Sequence, residues 1–60
     1  MHRVGYGRKT VEENIRVLME EDGLDLERAT RSALKLARKA FQKRNPDAPI
    51  PEYLRGEENV

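Results

Sequence analysis

The chain has 60 residues, 38% of them charged, with 12 Lys and Arg against 11 Asp and Glu for a net charge of +1, one histidine and no cysteine. A chain of this length supports one domain that buries only about 60% of its unfolded surface. The missing cysteines exclude a disulfide framework or a zinc ribbon, and no apolar run is long enough for a signal sequence or a membrane span. These exclusions predict a cytoplasmic or virion protein, without membrane attachment, that holds together by packing alone.

Residues 1–9 combine His2, Arg3, Arg8 and Lys9 with Gly5, Tyr6 and Gly7. This composition predicts a flexible basic arm with one aromatic for stacking on an unpaired base. The glycines match neither the P-loop nor the dinucleotide-binding spacing, so they supply looseness rather than a phosphate cradle.

Thr10 and Glu13 form an S/T-x-x-E capping box, which predicts a helix start. Val11, Ile15, Leu18 and Met19 then fall on one stripe, with Glu12, Glu13, Arg16, Glu20 and Glu21 largely off it. Gly23 accepts the left-handed conformation that ends a helix. The next helix begins at once. Asp25 is its N-cap, and Leu24 is placed to staple onto Ala29. At about 100° per residue, Leu26, Ala29, Thr30, Ala33, Leu34, Leu36, Ala37, Ala40 and Phe41 share one arc. Arg28, Arg31, Lys35, Arg38 and Lys39 occupy the other. The inner alanines permit close approach of a partner helix, while Leu26, Leu34 and Phe41 add bulk. Asn45 before Pro46 stops the helix, because the proline ring pushes the preceding residue out of the α region.

The expected architecture is therefore all-α, an antiparallel two-helix hairpin over about residues 10–22 and 25–44. Residues 45–60 follow as a proline-rich extension and acidic tail. Within it, residues 52–56 predict one short helical turn, and Ile50, Tyr53 and Leu54 are its apolar groups. They either fold back over the open edge of the hairpin near Leu34 and Phe41 or insert into a neighbouring subunit as partner-contact residues. Folding back is the favoured expectation. A core this small predicts that dimerisation or docking on a larger protein completes the fold.

Charge is ordered along the chain. Glu12, Glu13, Glu20, Glu21, Asp22, Asp25 and Glu27 face the single base Arg16 over residues 11–27. Residues 28–44 carry Arg28, Arg31, Lys35, Arg38, Lys39, Lys43 and Arg44 with no acid. An acidic helix can pair with a basic one along its flanks. The basic arc, however, points away from the core, which leaves it for an anionic partner.

Catalytic chemistry is not expected. His2 is far from the one serine, Ser32, which leaves no nucleophile and base pair. The pairs Glu12/Glu13 and Glu20/Glu21 diverge on a helix and suit a solvated face better than acid–base work. The acids around Gly23 lack calcium-loop spacing. No cofactor, metal or small-molecule substrate is expected.

Lys9, Thr10, Val11, Asn14, Ile15, Leu18, Met19, Glu21 and Gly23 follow a K-T-[VI]-x-x-N-I-x-x-L-M-x-E-G pattern with one extra residue before the glycine. Ala29, Ala33, Leu34, Ala37, Arg38 and Lys39 then give an alanine-rich second helix. On these residues the chain resembles a family of short bacteriophage-encoded proteins. The resemblance implies a phage or prophage origin and brings no defined activity with it. The chain departs from that family by its Pro49-Ile50-Pro51 extension and by lacking the proline and glutamines found after the turn.

The helical part, through Gly23-Leu24-Asp25 and Ala33-Leu34, is also similar to ribbon-helix-helix repressors. That likeness implies a strand at residues 3–8, paired between two copies in the major groove. Gly5 and Gly7 break the alternation such a strand needs, leaving Val4 and Tyr6 to face a core.

Two functions follow as expectations. One is a non-catalytic accessory protein that holds nucleic acid through Arg28, Arg31, Lys35, Arg38 and Lys39, with Arg3, Tyr6, Arg8 and Lys9 as an arm. The other is a minor virion subunit, or a factor docking on a host protein, whose terminal arms are the contact elements.

Overall fold

The computed structural model describes residues 5–55. Two helices, α1 (Arg8–Glu21) and α2 (Leu26–Arg44), pack as an antiparallel hairpin, followed by a 3-10 turn over Glu52–Leu54. The described residues form no strand. Extents of 34 × 27 × 14 Å make a slab little thicker than one helix, whose diameter with side chains is about 10–12 Å. Residues 57–60, expected as an acidic tail, lie outside the described residues.

The start of α1 differs from the capping-box expectation. Its N-cap is Gly7, in extended conformation and without a side-chain cap, and the Val11 amide donates to the Gly7 carbonyl at 2.9 Å. Thr10 is thus the third helical residue rather than the cap. The added helical residues are held by long-range contacts: Tyr6 packs edge-on against Phe41, and the Arg8 guanidinium lies over the Tyr53 ring. Arg8 and Lys9 accordingly belong to α1, not to a separate arm.

At the turn, Gly23 has φ +70°, and the Leu18 carbonyl accepts both the Asp22 amide at 3.1 Å and the Leu24 amide at 3.3 Å. A Cβ on Gly23 would meet nothing within 4 Å. Glycine is needed there for its backbone conformation, not for space. Asp25 caps α2 as its sequence predicts, its side chain accepting the Arg28 amide at 2.8 Å. Leu24 packs onto the core, of which Ala29 is part.

The core comprises Val11, Leu18, Ala29, Ala33, Leu34, Ala37 and Leu54. Both helices depart from the predicted stripes. Asn14 is buried, 1% exposed, whereas Met19 is 39% exposed. Asn14 lies one turn from both Val11 and Leu18, so it occupies the centre of the stripe that meets the alanines of α2. Its amide is hydrogen-bonded rather than stranded, as burial of a polar group requires. On α2, Leu26 and Leu36 remain exposed at 63% and 41%. Leu36 lies at the margin of the arc that one partner helix covers, whereas Leu26, in line with the buried alanines, is the first residue of α2.

Beyond α2, Asn45 closes the helix through its backbone amide to the Phe41 carbonyl at 2.8 Å, and a turn bonds the Ala48 amide to the Asn45 carbonyl at 3.1 Å. The extension then folds back. Leu54 is fully buried, while Ile50 and Tyr53 pack at the margin of the core. Thus the three residues considered for insertion into a neighbour are engaged within their own chain. Leu54 offers no exposed surface to a partner in this conformation.

Candidate anion-binding face

The outer arc of α2 is built by the same periodicity that buries its alanines. With Lys35 as reference, Arg28, Arg31, Arg38 and Lys39 lie within about 60° of it on the wheel, roughly opposite Ala33 and Ala37. Arg28 to Lys39 spans about 16 Å at the α-helical rise. Arg28, Arg31, Lys35 and Lys39 are exposed, as is Gln42 in line with them.

The cations are not equivalent. Arg28, Lys35 and Lys39 make no ion pair among the described residues. Arg31 Nη2 meets Glu27 Oε2 at 3.1 Å, one turn back, with both side chains well exposed. A solvated pair at this spacing contributes only about 0.3–0.5 kcal/mol. Arg38 has a different task. It is half-buried, and its Nη1 donates to the Leu54 carbonyl at 2.7 Å, tying the C-terminal turn to α2. Arg38, expected on phosphate with the others, thus also straps the C-terminal turn to the helix.

Of the remaining expected site residues, Tyr6, Arg8, Lys9 and Tyr53 gather at the open end of the hairpin rather than along the basic arc. Tyr6 and Phe41 meet edge-to-face with centroids 5.2 Å apart, and the Tyr53 hydroxyl donates to the Tyr6 carbonyl. Arg8 sits 5.0 Å from the Tyr53 ring centroid, a cation–π contact. Tyr6, expected in a stacking arm, is half-buried here and packs on Phe41. Lys9 is exposed on α1, and Arg3 lies outside the described residues. Between them these contacts staple the N-terminal lead to the C-terminal extension.

Sequence reasoning gave Lys43 and Arg44 no site role. Both are exposed in the last turn of α2, and the antiparallel arrangement places them at the same end of the molecule as Arg8 and Lys9. The signal was available in the order of charges along the chain once the hairpin topology was assumed. Among the described residues, no cluster of His, Asp or Glu could hold a metal ion, and no helix is long and apolar enough to cross a membrane.

Compared with protein-family models, with curated proteins and with solved structures, the chain matches none.

Proposed function

We propose that the protein is a non-catalytic accessory factor that binds an anionic partner, nucleic acid, through the outer face of α2. The observation that carries this reading is the row Arg28, Lys35 and Lys39, exposed on the arc opposite the buried alanines and unpaired with any described carboxylate. Cations held in a row on a well-capped helix meet a polyanion at little conformational cost, and release of its counterions drives association. The resemblance of residues 9–39 to short phage-encoded proteins adds a phage or prophage origin to the proposal and leaves the activity to the basic face. Arms that dock on a virion or a host protein have less support, since Tyr6, Tyr53 and Leu54 are engaged with one another or with the core.

The test is a titration of the full chain against DNA at two salt concentrations, beside a Lys35→Glu/Lys39→Glu variant. Tight binding at low salt that weakens steeply at higher salt, and is lost in the variant, is expected. No binding of the parent protein at low salt overturns the reading.

A further inference from the structure

Resting on the nucleic-acid reading above, we infer that the ligand is a double helix rather than a single strand, gripped through its phosphates by the half of α2 that lies toward the open end of the hairpin. Two independent features lead there.

The first is the fate of the aromatic side chains. The sequence has two tyrosines, one phenylalanine and no tryptophan. All three aromatics are half-buried in the clasp: Tyr6 against Phe41, and Tyr53 bonded to the Tyr6 carbonyl beneath the Arg8 guanidinium. Proteins that prefer single strands lay successive bases on aromatic faces beside a cationic groove. Here the groove of cations lies on the outer arc of α2, and the rings are spent elsewhere. Affinity must then follow the charge density of the ligand. A duplex presents one negative charge per about 1.7 Å of axis, more than a single strand offers. Sequence would matter little, because Arg and Lys on phosphate position a helix without reading base edges.

The second feature is a separation of charge along the hairpin that the topology creates. The turn end gathers Glu20, Glu21, Asp22, Asp25 and Glu27. The open end gathers Arg8, Lys9, Lys39, Lys43 and Arg44, which outnumber Glu12 and Glu13 on the neighbouring turn of α1. A polyanion attracts one end and repels the other. Lys35, Lys39 and Lys43, all exposed and on one side of α2, then carry the contacts. Arg28, one turn from Asp25 and beside Glu27, contributes least although it shares the same arc.

The experiment measures binding of the full chain to a DNA duplex and to each of its separated strands over a range of salt, repeated with a duplex of unrelated sequence. Expected are tighter binding of both duplexes than of either strand, and equal affinity for the two duplexes. The variant Lys39→Gln/Lys43→Gln should flatten the salt dependence by about two in the logarithmic slope, about one per lost phosphate contact, while Arg28→Gln leaves it nearly unchanged. Circular dichroism of both variants checks that surface substitution leaves the helices intact. A single strand bound as tightly as the duplex overturns the inference and leaves the nucleic-acid reading standing. So does an Arg28→Gln loss as large as that of the lysine pair. Absence of binding to every DNA at low salt overturns both.

Discussion

At the head of α2 the Asp25 carboxylate accepts the Arg28 amide at 2.8 Å, whereas at the head of α1 the corresponding residue, Gly7, offers no side chain at all. The difference continues along both helices. α2 has Glu27 in its first turn and Lys43 and Arg44 in its last, each complementing the helix dipole. α1 has no acid in its first turn and no base in its last. Instead, Arg8 and Lys9 open it, and Glu20 and Glu21 close it, against the dipole at both ends. One helix is written into its own segment, and the other is held by its neighbours. Short helices in water draw most of their stability from packing, and α1 depends on that more than α2 does. Its dipole-opposed ends are the same residues that sharpen the separation of charge from turn end to open end. Local rules of this sort are broken most often where a surface serves a function.

Leu54→Ala should separate the two helices most strongly. Leu54 is fully buried, and its carbonyl accepts from Arg38. Truncating a buried leucine costs about 2–5 kcal/mol. Chemical denaturation should show that loss, and hydrogen exchange should show the first turn of α1 opening before the centre of α2. Equal loss of protection in both helices would break the distinction.

Asp25→Ala should cost about 1 kcal/mol by removing the cap. Amide exchange should place the damage in the first turn of α2, and an unchanged denaturation midpoint would mean that the cap contributes nothing.

In the opposite direction, Glu20→Lys exchanges an exposed acid for a base near the end of α1 and should stabilise by about 0.3–1 kcal/mol at low ionic strength. The gain should fade as salt is added. Destabilisation by this substitution at low salt would contradict the dipole account.

Gly7→Asp is the mildest change. A Cβ there meets nothing within 4 Å, and the backbone is already in the extended conformation an N-cap adopts. Installing the missing cap is worth a few tenths of a kcal/mol over glycine, with an added contribution from the dipole. A thermal midpoint that falls instead would show that Gly7 serves some purpose beyond entry into the helix.

Several features could be read directly from the residues because their causes are local. Gly23 ends α1 because it alone takes φ +70° without a Cβ penalty, Asp25 caps the residues just after it, and Pro46 stops α2 by acting on its immediate predecessor. The basic arc of α2 follows from spacing alone. What the capping box suggested at Thr10 was overridden, because Tyr6 and Arg8 find partners in Phe41 and Tyr53 and carry the helix back to Arg8. The apolar stripe of α1 also misled at Met19, since the wheel weighs hydrophobicity and not the width of the surface that the opposing helix covers.

The sequence by itself determined two amphipathic helices, the glycine turn between them and the order of acids before bases, all set by interactions within a few residues. Only the tertiary structure decided that Asn14 enters the core, that Leu54 seals it and that Arg38 bonds to the Leu54 carbonyl. It also converted an order of charges along the chain into two poles of one molecule. The physical reason is distance along the chain. The bond from Tyr53 to Tyr6 joins residues 47 positions apart, and no local periodicity encodes which distant side chains will compete for the same small surface.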